Sequence, residues 1–147
     1  MKNPLLLHNI VIDPAEILAV NRVPAGNTWL GHFAEAKIFL EGPSSVPIVD
    51  TVNLEDSISR LVNAITGVLE IIPTNLGAAS GPDWRWALNM KKVRRITFDV
   101  DQGTDIGATV EFLSEAPMRI IAVEISDKAD AALLRFFFKK RPAGSGG

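Results

Sequence analysis

The residue types best suited to chemistry cluster in the second half of the chain. Trp84-Arg85-Trp86 is followed by Lys91, Lys92, Arg94 and Arg95, so indoles and cations interleave over a short stretch. Single-stranded nucleic acid is held by such mixtures, with rings stacking on bases and cations tracking phosphates. On a strand, Trp84 and Trp86 point one way and Arg85 the other. That geometry suits core anchoring as well as a stacking platform. Lys91 and Lys92, like Arg94 and Arg95, are adjacent pairs that do not define one basic face. The net charge of −2 is far from the basic balance of a dedicated binder. A single-stranded nucleic-acid-binding module is therefore the alternative reading, with Trp84, Arg85, Trp86, Lys91, Lys92, Arg94 and Arg95 as its site.

Asp99, Asp101 and Asp105 surround Gly103, and hard cations want oxygen ligands so spaced. An EF-hand loop, however, places Gly sixth and Glu twelfth. Counted from Asp99, Gly103 is fifth and Val110 twelfth. Turn chemistry alone accounts for every residue of Asp101-Gln102-Gly103-Thr104. His8 and His32 are the only histidines, and no nearby residue completes a zinc set. Ser44-Ser45 lacks the Gly-x-Ser-x-Gly elbow. Gly77 to Gly81 lacks the Lys-Ser/Thr ending of a phosphate loop. Glu35, Glu41 and Glu111 are acids that sequence cannot pair. No metal and no cofactor is expected, and no catalytic residue is assigned.

The elements that must position these groups begin with the helix of residues 52–67. Leu54, Ile58, Leu61, Val62 and Ile65 form one apolar stripe. Asn53 is placed to cap it, Glu55 and Asp56 suit the positive end of its dipole, and Gly67 suits a left-handed stop. Extended segments are expected at 5–12, 16–23, 29–40, 46–52, 68–72, 84–88, 91–99, 108–113 and 118–125. In the penultimate one, Thr109, Glu111 and Leu113 alternate with Ala108, Val110 and Phe112. A second helix is expected to start at Ser126, with Ala129, Leu133, Phe136 and Phe137 on one face. Three successive Phe residues make a strand over 132–139 the rival reading.

The fold class read from this order is α+β, mainly antiparallel sheet with two helices packed on one face. Strand-turn-strand-helix occurs once in each half, a pattern that suggests duplication. Residues 1–72 and 84–141 are the two halves, 73–83 the linker, and 142–147 a flexible tail. The halves together are expected to form one compact unit. Residues 1–70 carry a net charge of −4 and the remainder +2.

The chain is 47% apolar with a mean hydropathy of +0.19, high for 147 residues. It has no cysteine, which excludes disulfides and thiolate sites and agrees with a cytoplasmic setting. Residues 1–12 lack the parts of a signal peptide, and no apolar run reaches the ~18 residues that span a bilayer, so no membrane is expected. Leu134, Phe136, Phe137 and Phe138 cannot all be buried by one helix face. The leading reading is thus a non-catalytic protein-interaction or assembly module, a homo-oligomer or a binder of another protein, touching its partner through those four residues.

Overall fold

The computed structural model describes residues 2–24, 33–73, 84–115 and 118–140. In chain order these form β1 (Leu5–Leu7), β2 (Ile10–Ile12), a single 3-10 turn (Pro14–Glu16), β3 (Ile17–Pro24), β4 (Phe33–Leu40), β5 (Ile48–Val52), α1 (Glu55–Ile65) and β6 (Glu70–Pro73). There follow β7 (Trp84–Leu88), β8 (Val93–Asp101), β9 (Thr104–Glu115), β10 (Met118–Ile125) and α2 (Lys128–Lys140). The fold is α+β, with ten strands in three antiparallel sheets and two α-helices.

The five-stranded sheet, in the order β5-β4-β3-β7-β6, is the central layer. One face carries Ile17, Val20, Ile38, Leu40, Trp84 and Ala87, and it is covered by Ile58, Leu61 and Ile65 of α1 and by Leu7 and Ile12 of the β1-β2 hairpin. The other carries Leu18, Ala19, Ile72, Trp86 and Leu88, and it is covered by the β10-β9-β8 sheet and by Ala131 and Leu134 of α2. The helices therefore lie on opposite faces of this sheet, not on one. Each half supplies a hairpin followed by a helix, β4-β5-α1 and β9-β10-α2. Yet β7, beyond the 73–83 segment, pairs with both β3 and β6, so strands from either side of that segment share one sheet.

Bulges sort side chains between the two faces. Ile72 pairs with Trp86 but Pro73 pairs with Trp84, which leaves Arg85 as the extra residue. An extra residue resets the alternation of a strand. Trp84 and Trp86 thus enter opposite cores, contrary to the same-side expectation from simple period two. Leu18 is likewise extra between Ile17 and Ala19, and Arg94 between Val93 and Arg95.

Local chemistry explains most element ends. In α1 the expected stripe is buried at Ile58, Leu61 and Ile65, but Leu54 is exposed. The cap is Leu54, which makes no side-chain cap bond, so Asn53 sits one residue too early. Gly67 has φ +83° just after the helix end, as a left-handed stop requires. In α2 the cap is Asp127, not Ser126: its Oδ1 accepts from the amides of Ala129 (2.8 Å) and Asp130 (3.0 Å). Its inward face is Asp130, Ala131 and Leu134 with Phe137 and Phe138 half-buried, so Ala129 and Phe136 point outward. Residues 132–139 are helical. The alternation of β9 is as expected, with Ala108, Val110 and Phe112 buried. The β8-β9 turn places Gln102 at φ 51° and Gly103 at φ 78°, the two positive values a two-residue type I′ turn needs.

One expected strand divides. Residues 5–12 form the β1-β2 hairpin, with Leu7 paired to Ile10 and His8 at φ 54° in the turn. The turn signal was weak because neither His8 nor Asn9 is glycine. Trp29, His32, the 74–83 part of the linker and the 142–147 tail lie outside the described residues.

Candidate interaction surface

Both indoles of the Trp84-Arg85-Trp86 run are inside, at 2% and 8% exposure. Arg22 covers the Trp84 ring, its guanidinium carbon 3.9 Å from the centroid, and donates from Nε (2.9 Å) and NH2 (2.6 Å) to the Trp84 carbonyl. Trp86 stacks on Phe39 at 5.8 Å and donates from Nε1 to Asp130 Oδ2 at 3.0 Å. Arg85 NH2 lies 3.4 Å from the same oxygen. This Trp86-Asp130-Arg85 set pins the first turn of α2 to β7.

Three of the four cations that follow lie beside one of two acids. Lys92 Nζ is 2.8 Å from Glu41 Oε1. Arg95 grips both Glu111 oxygens, at 2.9 and 3.3 Å, and Arg94 NH1 is 3.6 Å from Oε1. The Arg94 bulge brings both arginines to Glu111, which offsets one of their two charges. With both rings buried, these residues do not present a stacking platform. Glu35 is near the start of β4, Glu41 follows its end, and Glu111 is held by arginines, so the three acids do not converge. Among the described residues no three His, Cys, Asp or Glu side chains are grouped to hold a metal ion. Asp105 of the Asp99–Asp105 run is instead clamped by Arg135, Nε to Oδ2 at 2.6 Å and NH2 to Oδ1 at 2.9 Å.

These pairs shift the carboxyls in opposite directions. The Arg135 hydrogen bonds hold Asp105 below its ordinary range, outweighing partial desolvation. Asp130 is raised: burial dominates, the Trp86 hydrogen bond and the Arg85 charge pull the other way, and Asp127 adds to the rise. An acid that is weaker folded than unfolded holds its proton longer in the native state, so its stabilising effect is complete at low pH and is lost as pH rises through the raised value. Asp130→Asn keeps an oxygen for the Trp86 N–H but has no proton to lose. Melting temperature measured from the ordinary aspartate range upward should therefore fall less steeply with pH in the variant. Asp105 acts in the reverse sense, its contribution being lost as pH falls through the lowered value.

Of the four expected contact residues, Leu134 is 1% exposed and belongs to the core. Phe137 and Phe138 are half-buried against it and meet edge-on at 5.0 Å. Phe136 alone reaches solvent, 43% exposed, with Lys140 Nζ 5.4 Å from its ring.

More exposed apolar side chains lie around β5, an edge of the central sheet. Val46, Ile48, Val49 and Leu54 are 68%, 45%, 48% and 44% exposed. Ile48 pairs with Leu40 and Val49 with Phe39, so the two side chains leave opposite faces of the strand. Sequence reading saw a strand here but not its position at an edge. The available signal was the absence of polar-apolar alternation in Val46-Pro47-Ile48-Val49. Two links fix the approach to this edge. Arg119 donates from Nε to the Ser44 carbonyl at 2.9 Å and from NH2 to the Gly42 carbonyl. Ile48 packs where a side chain at Gly42 would stand, with Cγ1 2.8 Å from the Cβ position.

Among the described residues no helix is long and apolar enough to cross a membrane. No protein-family model, curated protein or solved structure matches this chain.

Proposed function

We propose that this chain is a non-catalytic protein-interaction module that assembles with a second copy of itself through the β5 edge. The observation that carries the reading is β5 itself. Among the described residues its one strand neighbour is β4, and it exposes Ile48 on one face and Val49 on the other. An edge strand offers unpaired N–H and C=O groups to another chain, and monomeric proteins usually blunt such edges with charge or proline. Here the guards are few, Pro47 just before the strand and Asp50 within it. Strand addition would use the backbone for affinity and the exposed Val and Ile side chains for fit. Phe136 is a secondary contact. A cytoplasmic setting belongs to the same proposal and rests on the absence of cysteine.

Sedimentation equilibrium at tens to hundreds of micromolar tests the reading. The native chain should self-associate, and Val49→Lys should be monomeric over the same range. Because Val49 is a surface position, the variant should keep its melting temperature, with a change in stability of about 0.5 kcal/mol or less. A native chain that stays monomeric throughout would overturn the proposal.

A further inference from the structure

A cleft of about 480 Å³ opens between the residues leading into β8 and the end of β9, lined by Glu41, Lys91, Lys92, Val93, Arg94, Leu113 and Glu115. Its lining is mostly charged, unlike the apolar side chains of the proposed β5 contact. Its apolar part is Val93 and Leu113, both half-buried. Its base is fixed: Lys92 and Glu41 are ion-paired at 2.8 Å, Ser114 Oγ, on a residue 2% exposed, is 3.5 Å from Glu41 Oε2, and the Leu113 amide donates to the Lys92 carbonyl at 2.8 Å.

With Lys92 and Glu41 cancelling, the remaining charges are Lys91 and Arg94 against Glu115. Lys91 has no carboxylate within ion-pair distance among the described residues. Arg94 reaches Glu111 only at 3.6 Å, because Arg95 already occupies both oxygens of that carboxylate. One cation is thus in excess, beside an apolar wall. A pocket of this size, part apolar with a few converging polar groups, is what a small-molecule site requires. We infer that the cleft binds a small amphiphilic anion, with a carboxylate or similar group held by Lys91 and Arg94 and a short apolar body laid on Val93 and Leu113.

Amide chemical shifts of the full chain, titrated separately with hexanoate, hexylammonium, 1-hexanol and inorganic phosphate, test the inference. Hexanoate should shift residues 91–94 and 113–115 saturably and bind at least tenfold more tightly than the other three. The Lys91→Gln/Arg94→Gln double variant, both positions being exposed, should keep the native spectrum and lose that binding by tenfold or more. Equal response to the alcohol or the amine, equal response to phosphate, unchanged binding by the double variant, or no saturable shift would each overturn it. None of these outcomes bears on self-association.

Discussion

Replacing Trp86 with alanine should lower the unfolding free energy by about 3–5 kcal/mol, the range for removing a buried large aromatic. Native stabilities are commonly only ~5–15 kcal/mol, so the variant should sit close to unfolding. Two losses combine. The ring leaves a void against Phe39, its stacking partner at 5.8 Å. Asp130, 6% exposed, also loses the indole donor at 3.0 Å and keeps only the Arg85 contact at 3.4 Å. Trp86→Phe separates them, since it retains most of the ring and removes only the donor, at about 1–3 kcal/mol. Urea denaturation gives the magnitudes. Hydrogen exchange gives the location: amides of α2 should lose protection before those of α1.

Trp84→Ala should cost a similar ~3–5 kcal/mol, but the layer that loosens should be the other one. Trp84 belongs to the same core cluster as Leu61, Ile65 and the hairpin residues Leu7 and Ile12, and its ring supports the Arg22 guanidinium at 3.9 Å. Exchange should therefore rise first in α1 and the β1-β2 hairpin. The two tryptophans are separated by one residue, and without a bulge they would report on the same layer. Matching exchange maps for the two variants would refute the role given to Arg85 as the extra residue.

That bulge also marks where reading the sequence reached its limit. Elements with unbroken periodicity and definite stop residues were legible: the Ile58, Leu61 and Ile65 stripe, the left-handed Gly67, the alternation of Ala108, Val110 and Phe112, and the Gln102-Gly103 turn all lie as their residue types dictate. Alternation fails where a strand carries an extra residue, as at Leu18, Arg85 and Arg94, because only the pairing partner reveals which residue is extra. The caps of both helices fell one residue from the expected position: α1 starts after Leu54 with no side-chain cap at all, and in α2 two neighbouring polar residues compete for the role. Asp127 has a carboxylate to offer two amides where Ser126 has one hydroxyl.

The candidate contact surface was less legible than the fold. Phe136 to Phe138 stood out by size, yet burial depends on where the helix lands. The second sheet takes up Phe137 and Phe138 and encloses Leu134. The β5 side chains are ordinary valine and isoleucine, and what singles them out is a non-local fact, that among the described residues no strand pairs with the side of β5 away from β4. The cations of 91–95 looked like a nucleic-acid feature because the acids beside three of them, Glu41 and Glu111, are distant in sequence.

The most direct test of assembly through β5 is hydrogen exchange of the β5 amides that do not bond to β4, followed as protein concentration is raised. Strand addition predicts that these amides become protected with concentration while the solvent-facing amides of β10 do not, and that Val49→Lys abolishes the effect. Exchange at β5 that stays fast and independent of concentration, up to hundreds of micromolar, would contradict it.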